Sequence, residues 1–439
     1  IDIVILWFDS SKSLTQRVVL HIDFDYFYAQ CEEIRNPELK TKPVVICMFS
    51  DRGGDSGAIA TANYTARKFG VKSGLPIRLA KQKLKERDDS VFLPPDFEFY
   101  SNTSERSMKI IKEFADIFEY VGRDEAYLDI SKKTEGDFIK ASHVGQQIKN
   151  LIREKIKLTC SVGISPNKLL SKIASDYKKP DGLTIVTPDN VSEFMETIEI
   201  RDIPGIGKKT QEKLEEQKVQ TISKVKAMNV FDLIQMFGRK TGTYIFNAVR
   251  GIDNEPVTLR SPTVQISKIS TLKKDSNNYN FLEESLIELC NQLHTVILKE
   301  NKMFKSVGIQ LTQTNLSNKT KSRMLRSPTS SLEELKKISK QLLQEALDDK
   351  TILFRRLGVK VSELSELEGQ SNITNYFWSD ASSFFIRFVS IAVTTSKNMN
   401  SHGRNIISPA IEWYSSNSTG SVETFSANIE SENILIILI

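Results

Sequence analysis

The stretch YVGRDEAYLDIS at residues 120–131 contains the acidic pair on which the interpretation of this chain depends. It places two adjacent carboxylates, Asp124 and Glu125, inside a run that is otherwise apolar and rich in strand-forming residues. Acidic residues are depleted from strands, because they pack poorly on a half-buried pleated surface. The negative charge of the pair must therefore be compensated, and three sources fit: the preceding Arg123, solvent, or a bound cation.

A second acidic motif, HIDFDYFY at residues 21–28, follows an apolar run that predicts a strand. In a strand Asp23 and Asp25 would point to the same face, since side chains alternate with a period of two. If the fold brings this strand end beside Asp124 and Glu125, the gathered carboxylates need hard cations such as Mg²⁺. Two such ions support in-line displacement at phosphorus. Alternatively, each motif is separately a solvated turn, and spacing alone leaves both interpretations open.

Composition places the chain among globular proteins of several domains. It has 439 residues, of which 39% are hydrophobic and 26% charged, and its formal net charge is only +5. The charge is unevenly distributed, since residues 257–362 contain 18 Lys and Arg against 10 Asp and Glu. A basic segment in an otherwise balanced chain indicates a polyanionic partner.

Cysteine spacing and the terminal sequences indicate the cellular compartment in which the protein works. The four cysteines form no C-x-x-C motif, so we expect buried thiols in a reducing, cytoplasmic environment. They are Cys31, Cys47, Cys160 and Cys290. The N-terminal apolar run lacks the basic flank of a signal peptide, and no apolar run reaches the roughly 18 residues of a membrane span. We therefore expect no membrane partner.

Strand and helix patterns predict a mixed α/β or α+β architecture of several domains. They alternate without a strict βαβ order to about residue 180, and residues 190–256 have the pattern of short helices with glycine turns. The C-terminal part predicts a separate α/β sandwich. Its strand runs are 264–273, 305–312 and 357–363, and its helical patterns are 281–300 and 331–349.

Five segments occur in an order and at a spacing typical of one enzyme family. They are VVLHIDFDYFYAQCEEI at 18–34, GAIATANYTARKFGVKSGLPI at 57–77, DEAYLDIS at 124–131, SVGISPNKLLSKIASDYKKPDG at 161–182 and IPGIGKKTQEKL at 203–214. Together they resemble the Y-family, lesion-bypass DNA polymerases, above all the archaeal DinB-type enzymes, over about residues 18–364.

The resemblance implies a right-hand polymerase in which each part of the hand is a separate domain. The implied parts are an N-terminal extension at 1–17, a palm at 18–26 and 92–180, fingers at 27–91, a helical thumb at 181–256, a DNA-binding α/β little finger at 257–364, a clamp-binding-like peptide at 365–377, and a disordered or atypical tail at 378–439. Both terminal segments are interpreted as lying outside the folded unit.

The same resemblance assigns the catalytic carboxylates. Asp23, Asp124 and Glu125 match the family's metal ligands, and the backbone carbonyl of Phe24 matches a further metal contact. Two Mg²⁺ ions per active site are implied, with Mn²⁺ as an alternative. Tyr28 matches the steric gate, a ring placed where a ribose 2′-OH would clash.

Further matched positions bind the substrates. Tyr64, Arg67 and Lys179 match residues that bind the triphosphate of a dNTP, with donors suited to phosphate oxygens. Ala58, Ala60 and Thr61 match the roof over the nascent base pair. Gly205, Gly207 and Lys208 belong to a helix-hairpin-helix motif, whose glycines would let backbone N–H groups approach a DNA phosphate. The little finger would grip phosphates without reading sequence.

The residues before Asp124 depart from the family pattern. Gly122 and Arg123 stand where the family usually has Ser and an apolar residue. Arg123 could pair with a carboxylate and weaken Mg²⁺ binding. We expect instead that it points outward, because strand alternation would place its side chain opposite Asp124.

The segment GQSNITNYFW resembles a peptide that docks replication proteins on a sliding clamp. Gln370, Ile373, Tyr376 and Phe377 supply its pattern, and a short helical turn would gather the last three into a hydrophobic plug. A chance match in a tail is the alternative.

The sequence therefore predicts a monomeric, template-directed DNA polymerase for lesion bypass, with low fidelity and without proofreading. Its expected partners are primer–template DNA, dNTPs and the sliding clamp. Two alternatives are a weakly active DNA-binding scaffold recruited to the clamp and a palm-fold nucleotidyl cyclase. The cyclase would need neither Tyr28 nor the helix-hairpin-helix motif.

Overall fold

The computed structural model describes residues 16–259, 263–347 and 351–366, and the backbone alone of 392–399, 405–416 and 422–428. The chain divides into two units, Ile1–Glu366 and Leu367–Ile439, and each is described by itself.

The first unit alternates strands and helices, as the sequence predicts. Within the described residues its strands are β1 Val19–Phe24, β2 Val44–Phe49, β3 Gly57–Ala62, β4 Val91–Leu93, β5 Ile117–Tyr120, β6 Glu125–Asp129, β7 Cys160–Ser165, β8 Leu183–Ile185, β9 Gln265–Ser276, β10 Lys302–Gln313, β11 Asn318–Thr329 and β12 Phe354–Glu366. Its α-helices are α1 Phe27–Arg35, α2 Tyr64–Arg67, α3 Ile77–Lys83, α4 Phe97–Lys112, α5 Ser131–Thr134, α6 Phe138–Lys155, α7 Lys168–Tyr177, α8 Val191–Glu196, α9 Lys208–Glu216, α10 Ile222–Lys226, α11 Val230–Phe237, α12 Arg239–Ala248, α13 Tyr279–Lys299 and α14 Leu332–Ala346. Short 3₁₀ helices cover Pro37–Thr41, Pro188–Asn190 and Ile200–Asp202.

A five-stranded sheet in the order β5-β6-β1-β7-β8 forms the centre of the first unit. β1 lies in its middle and pairs antiparallel with both β6 and β7. Alternation along β1 separates two environments. Leu20, Ile22 and Phe24 enter a core formed with α4 and α6, whereas His21 and Asp23 contact residues of α7. The polar side of β1 is therefore the side covered by α7.

A second sheet, in the order β3-β2-β4, forms the predicted fingers region. β2 pairs antiparallel with β3 and parallel with β4. Residues of α2 and α3 close a small core over it, including Ala66, Ile77 and Ala80. Since β4 ends at Leu93, this sheet extends two residues beyond the expected boundary at residue 91.

Short helices follow, as expected for residues 190–256. The helices α8 to α12 share one hydrophobic core. Leu170 and Ile173 of α7 belong to the same core. The helix that covers β1 is thereby packed against the predicted thumb.

The basic segment forms an α/β sandwich, as predicted. Its sheet has the order β11-β10-β12-β9, and α13 and α14 pack against it around a core of their own. β11 was missed by the sequence analysis because its side chains alternate between exposed and half-buried and include several lysines and arginines, so no apolar period marks it. Arg52 of the β2–β3 loop joins this domain to the fingers, where it forms an ion pair with Asp275 and donates to the carbonyl oxygen of Leu272.

The second unit contains three described strands, β13 Ala392–Met399, β14 Asn405–Ser416 and β15 Val422–Asn428. They form an antiparallel sheet with β14 in the middle. Parts of the expected tail are therefore strands, and the interpretation of 378–439 as an atypical tail stays a prediction. The clamp-binding-like residues Gln370, Ile373, Tyr376 and Phe377 lie outside the described residues.

The cysteines and the hydrophobicity of the helices were also predicted from the sequence. All four cysteines are free and buried, as predicted. Among the helices that the structure describes, none is both long and apolar enough to cross a membrane.

Gly163 of β7 allows α7 to approach the central sheet closely. A Cβ atom at this position would lie 2.0 Å from the carbonyl oxygen of Ser171 and 2.4 Å from the amide nitrogen of Ser175. Both are backbone atoms of α7, so no side-chain rotation could relieve the overlap. The absence of a side chain at Gly163 therefore sets the distance between α7 and β1.

We expect Gly163→Ala to lower the free energy of unfolding by about 1–3 kcal/mol, because the added methyl group forces α7 away from the sheet. Urea unfolding measures the change. Gly122→Ala is the matched control, since its Cβ would lie 3.5 Å from the nearest atom, an ordinary contact. Equal stability of the two variants would contradict the close-approach argument.

Candidate active site

The structure brings the two acidic motifs together at one end of the central sheet. Asp23 on β1 and Glu125 on β6 are directly opposed partners in the antiparallel pairing. The amide of Phe24 donates a hydrogen bond of 2.8 Å to the carbonyl oxygen of Asp124, which fixes the turn before β6 against β1. Opposed partners in a sheet point to the same face, so the carboxylates of Asp23 and Glu125 share one side.

Two lysines, one in the middle of α7 and one just beyond its end, neutralise this face. The Lys172 ammonium lies 2.9 Å from Oδ2 of Asp23 and 2.7 Å from Oε2 of Glu125. Lys179 lies 2.6 Å from Oδ1 of Asp23. Asp176 contacts both lysines, at 3.7 Å and 2.8 Å respectively. Every carboxylate oxygen of Asp23 is therefore in contact with an ammonium group.

These contacts control ionisation of Asp23 and Glu125. Burial opposes ionisation of Asp23, but the charges of Lys172 and Lys179 outweigh it and hold the pKa of Asp23 below its usual value. The close contact with His21, together with Lys172, lowers the pKa of Glu125 to about 2. Both groups are therefore carboxylates at neutral pH.

His21 supports Glu125 from beneath the sheet surface. It is fully buried, and its Nε2 lies 3.3 Å from Oε2 of Glu125 while its Nδ1 contacts the Ser175 hydroxyl at 2.8 Å. Burial lowers the pKa of His21, so the ring is neutral at physiological pH. The imidazole therefore orients Glu125 without adding charge.

Asp124 differs electrostatically from its neighbours. Loss of hydration raises the pKa of Asp124, and the negative charges of Asp23 and Glu125 raise it further. None of the ion pairs formed by the described residues involves the side chain of Asp124. Among the three site carboxyls, Asp124 is therefore the one whose ionisation its surroundings oppose.

The donor set suits a hard divalent cation, although it is not a preformed cage. Carboxylate oxygens are the ligands that Mg²⁺ prefers in proteins, and a single ammonium already bridges Asp23 and Glu125, so one cation can reach both. Within the described ranges, no group of three or more His, Cys, Asp or Glu side chains is closed tightly enough to hold a metal ion. A cation would need the lysines to move aside.

Asp25 does not join the carboxylate group. β1 ends at Phe24, and the buried Asp25 accepts hydrogen bonds of 2.8, 2.7 and 2.8 Å from the hydroxyls of Thr159 and Ser161 and the amide of Asp181. The Asp-x-Asp motif therefore contains one site carboxylate and one that ties β1 to β7 and to the loop after α7.

Tyr28 lies on α1 beside the site and belongs to an aromatic cluster. Its ring stacks on Tyr100 at 4.7 Å and meets the edge of Phe97 at 6.0 Å. The Tyr100 hydroxyl is fixed by a hydrogen bond of 2.7 Å to Glu32. The ring of Phe24 is buried in the core against Phe27, so only its backbone is available to a ligand.

The other predicted substrate residues lie on the fingers sheet and α2. The Arg67 guanidinium is held over the ring of Tyr64 at 4.9 Å and donates through Nε to the carbonyl oxygen of Ala62. Burial raises the pKa of Tyr64, which keeps its phenol protonated. Half-buried small side chains line β3 at three predicted roof positions, Ala58, Ala60 and Thr61.

Arg123 is turned away from the carboxylates, as expected. Its Nε donates to the hydroxyl of Ser101 at 3.0 Å, and its guanidinium lies 5.4 Å from the ring of Phe97. The reason differs from strand alternation, because β6 begins only at Glu125 and Arg123 lies in the preceding turn. The contacts of Arg123 are therefore with Ser101 and Phe97 and not with Asp23, Asp124 or Glu125.

The helix-hairpin-helix residues form an exposed turn before α9. Gly205 has a φ of +84°, a conformation that favours glycine. Gly207 caps α9, and a Cβ there would meet nothing within 4 Å. Lys208 follows with a side chain that is 88% exposed and lies 3.5 Å from Glu212. The turn is open to a ligand as large as a DNA backbone.

The sequence analysis missed Lys172, Asp176 and His21. Lys172 and Lys179 are seven residues apart, which is two helical turns, and Asp176 lies between them. This spacing could have suggested a shared charged face. His21 lies two residues before Asp23 on β1 and so points to the same face. A buried histidine without a role in the site would show the same spacing, so the sequence alone could not identify it.

Comparison with known proteins identifies the architecture. Profiles of the impB/mucB/samB family and of its C-terminal domain match residues 22–176 and 263–374, and a DNA polymerase-iota thumb-domain profile matches 201–253. A DNA polymerase IV of Nitrosopumilus maritimus is 67% identical over 361 residues, which are 82% of this chain and 99% of that protein. The chain belongs to the Y-family DNA polymerases.

Solved structures agree with this Y-family assignment. The chimera titled Dbh-Dpo4(243-245)-Dbh is 33% identical, with a TM-score of 0.74, and covers 80% of this chain and 99% of its own. An insertion ternary complex of Dbh DNA polymerase is also 33% identical, with a TM-score of 0.58, and covers 79% and 98%. A DNA polymerase IV 1 of Methanosarcina mazei is 41% identical, covering 83% of this chain and all of that protein.

The palm, thumb and little-finger architecture and the archaeal DinB-type family are therefore confirmed. The chain is a DNA-directed DNA polymerase of the translesion class, and polymerases of this family use divalent metal ions. The scaffold and cyclase alternatives are not retained. The expected domain boundaries stay predictions.

Glu125 gives the polymerase a specific acid sensitivity. Its folded-state pKa of about 2 lies below the ordinary value of 4.5, so its stabilisation is present above pH 4.5 and is lost as the pH falls toward 2. We expect the free energy of unfolding of wild type to exceed that of Glu125→Gln by up to about 3 kcal/mol near neutral pH. This difference should shrink in acid.

Urea unfolding across this pH range measures the difference, with the exposed Glu105→Gln as control. A difference that stays constant with pH would contradict the assigned contacts of Glu125.

Proposed function

We propose that this polymerase extends a primer 3′-OH opposite damaged template bases with low fidelity, releasing pyrophosphate, and that its ions are Mg²⁺. The observation that carries the proposal is the convergence of Asp23 and Glu125 across β1 and β6, with Asp124 fixed beside them by the Phe24 amide. Asp23, Asp124, Glu125 and the Phe24 carbonyl would hold the ions. When bound, a pair of Mg²⁺ ions activates the attacking hydroxyl and stabilises the leaving pyrophosphate.

The chain's own residues orient the triphosphate. Lys179 and Arg67 supply cationic donors, and Tyr64 supplies a hydroxyl that stays protonated because burial raises its pKa. Arg67 is already fixed by its bond to the Ala62 carbonyl and by the Tyr64 ring. Little side-chain entropy remains to be lost when the phosphates arrive, which favours a defined in-line geometry.

Sugar and base selection use different surfaces. Tyr28 is held by its stack on Tyr100, so its ring is rigid enough to exclude a ribose 2′-OH. The roof at Ala58, Ala60 and Thr61 has small side chains that would tolerate a distorted base pair. Tyr28 and Ala60 pack against the same small hydrophobic cluster, which includes Ala29, and this supports a gate close to the roof. A rigid gate with an open roof selects the sugar strictly and the base loosely.

The remaining contacts concern DNA and partners. Gly205, Gly207 and Lys208 would bind a primer–template phosphate, and the basic little finger would hold the duplex backbone. The peptide around Gln370 would dock a sliding clamp and raise processivity. We propose a cytoplasmic monomer without proofreading.

Replacing Asp124 tests the assignment of the reaction. We expect Asp124→Asn to lower templated primer extension with Mg²⁺ and dNTPs at least about a hundredfold, because a metal contact is worth several kcal/mol in the transition state. The exposed Glu154→Gln on α6 should extend primers like wild type. Extension by Asp124→Asn at the wild-type rate would refute the metal assignment.

Replacing Tyr28 tests the gate. Tyr28→Ala should raise the kcat/KM for a ribonucleotide relative to the matching deoxynucleotide by about a hundredfold, because the ring no longer excludes the 2′-OH. Tyr28→Phe keeps the ring and should keep the discrimination. An unchanged ratio in Tyr28→Ala would show that another residue excludes ribonucleotides.

A further inference from the structure

Lys172 occupies the position between the two opposed carboxylates. Its ammonium contacts Oδ2 of Asp23 and Oε2 of Glu125 at 2.9 and 2.7 Å. Its side chain is 22% exposed. Burial opposes the charge of Lys172, but the attraction of Asp23, Asp176 and Glu125 outweighs it and raises the pKa of Lys172. A permanent internal cation thus bridges the two groups that the proposed function assigns to a metal ion.

The Lys172 ammonium and a divalent ion would compete for the same carboxylate oxygens. A divalent ion takes carboxylate oxygens at about 2 Å, and its charge repels an ammonium held on the same oxygen atoms. Lys179 contacts the other oxygen of Asp23 at 2.6 Å, so turning the Asp23 carboxylate would not release a free oxygen. An ion that bridges Asp23 and Glu125 would therefore take the position that the Lys172 ammonium occupies.

Asp176 offers Lys172 another partner. It lies one helical turn after Lys172 on α7, its side chain is 49% exposed, and its Oδ2 is 3.7 Å from the Lys172 ammonium. A change of the lysine rotamer toward Asp176 would keep the ammonium paired. The helix thus carries both the cation and the carboxylate that can receive it.

We propose that Lys172 is an internal counter-cation that a divalent ion must displace from Asp23 and Glu125 toward Asp176, so that metal binding is held back in the free protein. This inference rests on the proposed function, because it takes Asp23 and Glu125 as metal ligands. It makes Lys172 a positioning residue that keeps the carboxylates apart from stray cations and preserves their geometry. Lys179 would leave Asp23 when it binds the triphosphate, which couples nucleotide arrival to metal arrival.

The test measures binding of Mn²⁺ alone to the full chain without DNA or nucleotide, by electron paramagnetic resonance of the free ion. We expect Lys172→Met to lower the apparent Kd at least about tenfold relative to wild type, because the competing charge is removed. Lys168→Met is the matched control. It removes the same charge from the same helix, but Lys168 contacts Glu119 at 2.6 Å and neither of the two ligands.

A double-mutant cycle separates displacement from a general field effect. Asp176→Asn should weaken Mn²⁺ binding in wild type by removing the alternative partner, and this effect should be largely lost in the Lys172→Met background. Independent charge effects would instead add. Lys172→Gln serves as a second variant, and cooperative thermal unfolding of each variant confirms that it is folded.

Besides additive effects in the double-mutant cycle, two results would overturn the inference, and one would overturn the proposed site. A Kd for Lys172→Met within twofold of wild type, or equal tightening in Lys168→Met, would refute displacement while Asp23→Asn still abolishes binding. If Asp23→Asn and Glu125→Gln leave saturable Mn²⁺ binding unchanged, the carboxylates are not the metal site, and the proposed mechanism fails with the inference.

Discussion

The structure depends on balancing two carboxylates that the β1–β6 pairing forces onto the same face. Asp23 and Glu125 are opposed partners, and like charges in this position destabilise a sheet. Lys172, Lys179 and the neutral His21 remove that penalty. The cations come from α7 and the loop after it, and they reach the sheet only because β7 has no side chain at Gly163. Charge balance and helix packing are therefore one constraint.

Parts of this arrangement are visible in the sequence. Apolar runs interrupted by Asp23 and by Asp124–Glu125 predicted strands that end in carboxylates. That these carboxylates lie together was predicted only from the resemblance to the polymerase family. Two features were not predictable in this way. β11 has no apolar period because it is an edge strand with largely exposed faces, and Asp25 could not be separated from Asp23 because only the strand end at Phe24 distinguishes them.

The lysines illustrate a different limit. Lys172 is one of many lysines with helical spacing, and its importance comes from a contact across 149 residues of chain to Asp23. Periodicity describes which side of a helix is buried but not what lies opposite it. Arg123 shows the converse: its departure from the family pattern attracted attention in the sequence, whereas its contacts are with Ser101 and Phe97. For both Lys172 and Arg123, the neighbouring sequence did not indicate which charged groups the side chain contacts.

The little finger has its own hydrophobic core, built from β9 to β12 with α13 and α14, and the carboxylate site stands on another. Substitutions in separate cores combine almost independently. Substitutions in the little finger are therefore expected to leave the packing around the carboxylate site unchanged. Inherited sequence variation can therefore accumulate in the little finger while the residues that support the carboxylate site stay the same.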